Sequence, residues 1–352
     1  MESPGSNRVL ASAHSWLSVP LILAGVVSTT SCDNDSIIMR NRQLPDSIEA
    51  VAFSPDNKTL ACATTHAVGI FDANDGRRVC TLDSRNAWVC GVAFSPNGEL
   101  FAACTSRGRV NLWDPSDWTP RQPLEGHSGW ALCIAFSPDS KMLASGGRDC
   151  KIVVWDVTRM SVSRVLRGHT DWVRCLAFSP DGRIMASAGE DSLVMLWETA
   201  SWTRLAVLEG HTQHVRYLTF LPDSKLLLSG GAGDNTIRLW DVAALSERAT
   251  LRGHSSTVRG LIVLPDDKLI SVSQDHTMRV WDLSNLTTIR SIVAHQDWVQ
   301  SAALSSDGKK LVTGALNGEA RVWEIADLLW YSDRNAQVDP DSCSWKLDNP
   351  GK

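Results

Sequence analysis

A large aromatic residue returns along this chain at a nearly constant interval: Phe71, Trp113, Trp155, Trp197, Trp240, Trp281 and Trp323, spaced 42, 42, 42, 43, 41 and 42 residues apart. Such a period marks one supersecondary unit copied along the chain, and a unit of that kind cannot bury its apolar faces alone. Neighbouring copies must pack on one another. The clearest copy runs from Gly168 to Glu198, GHTDWVRCLAFSPDGRIMASAGEDSLVMLWE. Its apolar runs are short, rich in Val, Leu, Ile and Phe, and separated by turn residues, so they read as successive antiparallel strands rather than helices. Ser179-Pro180-Asp181-Gly182 suits a tight turn, because Pro presets φ and Gly tolerates a positive one.

The period, with its Gly-His openings and Trp-acid endings, resembles the WD40 repeat family. The resemblance covers about residues 36–324 and implies an all-β, seven-bladed β-propeller of four-stranded antiparallel blades. Counting within the repeats suggests how the last blade is completed. An outer-strand residue stands 12 positions before the Phe that precedes the turn, as in Leu82–Phe94, Leu124–Phe136, Leu166–Phe178 and Leu208–Phe220. The same step back from Phe53 reaches Asn41, so Ile37 to Asn41 lies in outer-strand register. The matching place after Trp323 is the polar Tyr331-Ser332-Asp333-Arg334. An N-terminal strand is therefore expected to close the last blade, removing a bare sheet edge.

Two segments fall outside the count. Residues 325–352 form a C-terminal tail in which Ile325, Leu328 and Leu329 fit one apolar face of a short helix. Residues 1–35 form an N-terminal extension with three readings. Leu17 to Val27 is apolar but only 11 residues long, too short to span a bilayer; it suits a secretion signal, although no Ala-x-Ala cleavage site follows. Arg8-Val9-Leu10 with His14 and Trp16 echoes Arg164-Val165-Leu166 with His169 and Trp172, as a decayed repeat would. A disordered tail is the third reading.

With 34 basic against 39 acidic residues the formal charge is −5, which gives no case for specific nucleic-acid binding. The nine cysteines include no CxxC pair, and Cys133 and Cys175 hold the same place in their repeats. Buried reduced thiols are the expectation, favouring a cytoplasmic location; if residues 1–31 are a signal peptide, the protein is exported.

Four polar sets recur in phase: His127, Ser145, Asp149, Trp155; His169, Ser187, Asp191, Trp197; His211, Ser229, Asp234, Trp240; and His254, Ser271, Asp275, Trp281. A His–Asp–Ser group can perform nucleophilic catalysis, but an active site is rarely built four times. The family resemblance implies structural tetrads instead, with His bridging Asp and Ser and Ser reaching the Trp indole. The seventh repeat carries His295, Thr313, Asn317 and Trp323, with Asn in place of the charged acceptor. In the second repeat Arg107 takes the Asp position, and in the first Thr65 does and Phe71 replaces Trp. The first two blades are thus expected to be the soft sector of the ring.

The functional signal lies beside the tetrads. Trp130, Trp172, His214, Thr257 and Trp298 stand three residues after the blade-opening histidines, and Trp88 matches them in repeat 2. The resemblance implies that this position opens on the top face around the central channel. So does the residue before the tetrad acid: Arg148, Glu190, Gly233, Gln274 and Leu316. Trp88, Trp130, Trp172, His214, Trp298, Arg148 and Glu190 are the candidate partner-binding surface, since aromatic clusters beside an Arg make good hot spots. The alternative is that the indoles pack sideways between blades. Arg174, Arg216 and Arg259, five after their histidines, are candidate channel-lining residues.

No phosphate loop, HExxH, GxSxG or paired-Cys ligand set is present, so no catalytic residue, metal or cofactor is expected. The reading is a non-enzymatic interaction scaffold, monomeric or part of a complex, that binds a protein or peptide on its top face. The rivals are a sensor module related to a larger signalling ATPase, and an exported propeller enzyme or ligand binder.

Overall fold

The structure is a computed structural model that describes residues 37–40, 47–84 and 86–329. The extension through residue 36, residues 41–46 including Asn41, and the chain from Trp330 onward, with Tyr331 to Arg334, lie outside the described residues.

Seven four-stranded antiparallel sheets follow one another along the chain. Blade 1 spans Ile48 to Asp83, blade 2 Val89 to Glu125, blade 3 Ala131 to Arg167 and blade 4 Val173 to Leu208. Blade 5 spans Val215 to Leu251, blade 6 Val258 to Val293, and blade 7 runs from Val299 to Glu324. The second strand of each blade is buried almost throughout and the third in large part, while outer strands such as Ser161–Arg167 are largely open to solvent. This is the pattern of sheets covered on both faces by their neighbours and open only at the circumference. The cores accordingly lie between blades: Cys175, Ala186 and Leu196 of blade 4 pack with Val215, Leu218 and Trp240 of blade 5.

The same arrangement joins the last blade to the first. Ile48, Val51 and Leu60 share a core with Val312, Ala320 and Val322. At the turns, Ser306 donates its backbone N–H to Asn57 Oδ1 at 2.7 Å and its hydroxyl to the Pro55 carbonyl at 2.7 Å. Strand Ile37–Arg40 pairs antiparallel with Glu319–Glu324, Ile37 opposite Val322 and Arg40 opposite Glu319.

The Ser-Pro-Asp-Gly turn takes the expected form. The Ser179 hydroxyl donates to Asp181 Oδ1 at 2.6 Å and accepts the Ile184 N–H at 3.0 Å, and Gly182 sits at φ 71°. Blade 2 has the shortest outer strand, Leu124–Glu125. Pro120 and Pro123 precede it, and neither has an N–H to give to the ladder. After Trp323 a single helical turn, Ile325–Leu329, buries Ile325 and Leu328 against blades 6 and 7, with Leu329 packed beside them.

Removing residues 1–42 takes away the strand that pairs with Glu319–Glu324 and should leave a bare edge prone to association, whereas removing residues 1–30 should not. Size-exclusion chromatography and melting of the two deletions check this. Identical behaviour would show that the strand contributes nothing to the ring.

Candidate functional site

Each tetrad is a chain of hydrogen bonds from the blade interior to the surface. In blade 4 the Trp197 indole N–H donates to Ser187 Oγ at 2.8 Å, Ser187 lies 2.8 Å from His169 Nε2, and His169 Nδ1 lies 2.8 Å from Asp191 Oδ2. A neutral imidazole satisfies every group: Ser O–H donates to Nε2, and Nδ1–H donates to the carboxylate. Blades 3, 5 and 6 repeat the geometry, with His–Asp distances of 2.9, 2.7 and 2.7 Å and His–Ser distances of 2.8, 2.7 and 2.6 Å. The Ser and Trp are buried in all four, where an unpaired polar atom would be costly.

The aspartates also hold the loops above them. Asp149, Asp191, Asp234 and Asp275 accept the backbone N–H of Ser128, Thr170, Thr212 and Ser255 at 3.0, 3.1, 3.3 and 3.0 Å. Burial pushes the Asp191 carboxyl up, but the hydrogen bond from His169, with the N–H groups of Thr170 and Leu193, outweighs it and holds the group below its ordinary range. Asp149, Asp234 and Asp275 are held low by the same balance.

Blade 7 corrects the sequence reading. His295 Nε2 meets Thr313 Oγ1 at 2.7 Å, and the Trp323 indole donates to that hydroxyl at 2.9 Å, but Nδ1 lies 3.3 Å from Glu319 Oε2 rather than bonding to Asn317. Glutamate is one methylene longer than aspartate and reaches back from the strand, where it also accepts from Arg321 at 3.0 Å. Asn317 instead caps the turn by accepting the Glu319 N–H at 3.1 Å. Blades 1 and 2 lack the tetrad serine, carrying Cys62 and Ala103 at its place in the strand register. Aromatic packing stands there instead: Phe94, Phe101, Trp113 and Trp118 make tilted and edge-to-face contacts with centroids 4.7–6.2 Å apart. Replacing both partners of a polar contact by apolar groups need not weaken a core, so the absence of a tetrad does not by itself make this sector soft.

The loops held by these networks carry the predicted surface residues. The residue before each innermost strand is tied to the residue before the tetrad acid: Trp130 O accepts Arg148 N–H at 2.8 Å, Trp172 O accepts Glu190 N–H at 2.9 Å, and Trp298 O accepts Leu316 N–H at 2.9 Å. In blade 5 an extra residue makes Ala232, not Gly233, the partner of His214, at 2.7 Å. A Cβ on Gly189 would overlap the Trp172 carbonyl, which is why glycine stands there.

The side chains then meet across blade boundaries. Trp88 and Trp130 touch edge to face at 5.4 Å. The Arg148 guanidinium contacts two indoles, 3.6 Å from the Trp130 ring centre and 4.0 Å from that of Trp172. The Arg174 guanidinium lies 4.8 Å from the Trp172 ring centre and donates through Nε to Glu190 at 2.7 Å. Glu190 also pairs with Arg216 at 3.4 Å, and its backbone carbonyl lies 2.9 Å from His214 Nδ1. One run of contacts thus joins Trp88, Trp130, Arg148, Trp172, Glu190 and His214 over blades 2–5. Trp298 is not in it: it stands on blade 7, 46% exposed, with blade 1 between it and Trp88. The indoles do pack sideways on each other, yet Trp88 stays 49% exposed, so the two alternatives describe the same surface.

Below this rim opens a cavity of about 470 Å³ lined by residues of all seven blades. A β-bulge near the start of every innermost strand shapes it, for example between Val173 and Cys175 or Val215 and Tyr217. The extra, unpaired residue of a bulge is re-aimed out of the ladder. Those residues include Arg174, Arg216 and Arg259, and all three line the cavity. Burial pushes the Cys90 and Cys133 thiols beside it up to about 12, so neither is a thiolate at neutral pH. Among the described residues, no cluster of His, Cys, Asp and Glu could hold a metal ion, and no helix is long and apolar enough to cross a membrane.

Six segments, residues 76–114, 118–156, 160–198, 202–241, 245–282 and 286–324, match the family model described as WD domain, G-beta repeat. Each takes the outer strand of one blade and the three inner strands of the next.

Asp191→Ala should cost about 1–3 kcal/mol by leaving buried donors unpaired, and Glu319→Ala should be the costlier change in blade 7, with Asn317→Ala milder. A carboxylate held low stabilises the fold above the unfolded value near 4 and loses that contribution as pH falls from there through the lower folded value. The melting gap between wild type and Asp191→Ala should therefore be full at about pH 6–7 and close as pH drops below about 4. Equal melting at neutral pH would remove Asp191 from the network.

Proposed function

The chain belongs to the WD40 repeat family, whose propellers are commonly protein-interaction scaffolds and typically non-enzymatic, and we propose that it binds a protein or peptide partner on the face carrying Trp88, Trp130 and Trp172. The observation that carries this reading is the stacked run from Trp88 through Arg148 to Glu190. Arg148 held against two indoles fixes three large side chains before any partner arrives. Little rotamer freedom then remains to be lost on binding, which favours affinity. Indoles offer large apolar area, and the Arg148 and Glu190 heads supply polar selectivity.

The seven cysteines among the described residues are free, which suits a reducing compartment such as the cytoplasm. The loops set the geometry and the core carries the stability, so a surface indole can be altered without altering the fold.

Trp130→Ala and Trp172→Ala should each weaken partner binding by about 2–4 kcal/mol. Their melting temperatures should fall less than that of Asp191→Ala. Trp298→Ala, outside the contact run, should cost less binding than either. The check is a titration of a partner captured by the wild type against each folded variant; undiminished affinity in the Trp88/Trp130/Trp172 triple-alanine variant would move the binding surface elsewhere.

A further inference from the structure

Each blade offers one bulge residue to the top of the channel, and the seven are not alike. Blades 4, 5 and 6 present Arg174, Arg216 and Arg259. Blades 2 and 3 present the uncharged Cys90 and Leu132, blade 7 presents Gln300, and only blade 1 presents an acid, Glu49. The cationic residues therefore form a continuous arc on one side of the cavity, facing a wall whose one charged bulge residue is Glu49.

The arc is incompletely neutralised. Glu190 serves Arg174 and Arg216 together, and the Glu49 carboxylate stands 3.9 Å from Arg259 while accepting the Ser47 hydroxyl at 2.7 Å. With Arg148 at the rim, four guanidiniums answer to two carboxylates. The Nε atoms of Arg148 and Arg259 are buried and have no hydrogen-bond partner. Burial, and then the charge of Arg216, push Arg259 below its ordinary value, although a guanidinium stays protonated at neutral pH. Like charges gathered in a partly desolvated cleft focus a positive potential and attract an anion into it. Two residues further along the innermost strands of the six blades other than blade 6 the lining is apolar, with Val51, Leu176, Leu218 and Ala302 among the buried side chains. A charged group would thus enter from the rim and stop at the arginines.

We propose that Arg174, Arg216 and Arg259 seat an oxyanion, carboxylate or phosphoryl, at the end of a side chain that the partner inserts into the channel. This rests on the top-face binding reading above and names the chemistry that the partner must bring. Guanidiniums on three adjacent blades approach from three directions, which suits charge-assisted bonds to separate oxygens of one anion. The tryptophans at the mouth would hold the apolar part of the same partner segment.

The test uses the full chain and simple probes: calorimetric titration with inorganic phosphate, and separately with acetate, at constant ionic strength and neutral pH. Saturable binding is expected, and the tighter probe identifies the group. An Arg216→Gln/Arg259→Gln variant should bind about tenfold more weakly or worse. Glu49→Gln removes the competing carboxylate and should tighten binding about threefold; it decides the matter should the double variant fail to fold. Absence of saturable binding by either probe, or affinity indifferent to these substitutions, overturns the anion site. The Trp88/Trp130/Trp172 triple-alanine variant keeps the arc and should keep most probe affinity, so a failed anion site and a failed tryptophan surface give different results.

Discussion

The bond between a tetrad histidine and its aspartate carries more than blade stability. The carboxylate answers the imidazole with one part of its acceptor capacity and the backbone N–H of the next loop with another: Asp149 holds Ser128, and Asp191 holds Thr170. Trp130 and Trp172 follow those loop residues by two positions. A buried network that must be complete to be stable therefore also fixes the loops that bear the surface indoles. Breaking it would loosen the face together with the core, whereas changing an indole leaves the network whole.

The bulges make a second use of a local rule. An antiparallel ladder has no place for the side chain of the extra residue, and the strand turns it out of register. Repeated in each of the seven blades, the displacement creates a ring at the channel mouth whose residue types are free to vary, because none of them is needed for pairing. This chain fills three successive places with arginine. The tetrads of blades 3–6 are alike and the bulge ring is not, which separates the part that builds the fold from the part that can distinguish partners.

Most of the fold is legible in the sequence because its determinants are local and repeated. The spacing from Phe71 to Trp323 counts the blades, and the His-to-Asp interval pairs the tetrad members. Blade 7 escapes that logic because the spacing names the turn residue Asn317, while the hydrogen bond is made by Glu319, a longer side chain reaching back from the strand. Counting back from Asp234 puts Gly233 at the rim, but the blade-5 insertion moves Ala232 there. The stack of Arg148 on Trp130 and Trp172 is half legible: the periodicity places the three near one another, but which side chain lies against which depends on the angle between blades. The bulges leave no clear mark in the sequence. The shared offset of Arg174, Arg216 and Arg259 hints at a common direction, and only the broken ladder register shows that they aim into the channel.

The aromatic surface is asymmetric around the ring, and the tetrads alone do not set this, since blade 6 has a complete one beneath Thr257. Blades 3, 4 and 5, which carry complete Ser–His–Asp–Trp networks, also carry Trp130, Arg148, Trp172, Glu190, His214, Arg174 and Arg216. Trp88 stands on blade 2, which has none, yet its loop is held in another way. Ser106 receives the Trp88 N–H on its hydroxyl at 3.0 Å and returns its own N–H to the Trp88 carbonyl at 2.9 Å. Ser106 occupies in blade 2 the place of Arg148 in blade 3. A small side chain there bonds the loop directly, and the space above it is left to the Trp88 indole, which leans on Trp130. The first indole of the run is thus fixed at its backbone by a serine and at its ring by the next indole. Its outer face remains open to solvent at the end of a surface that is otherwise already assembled.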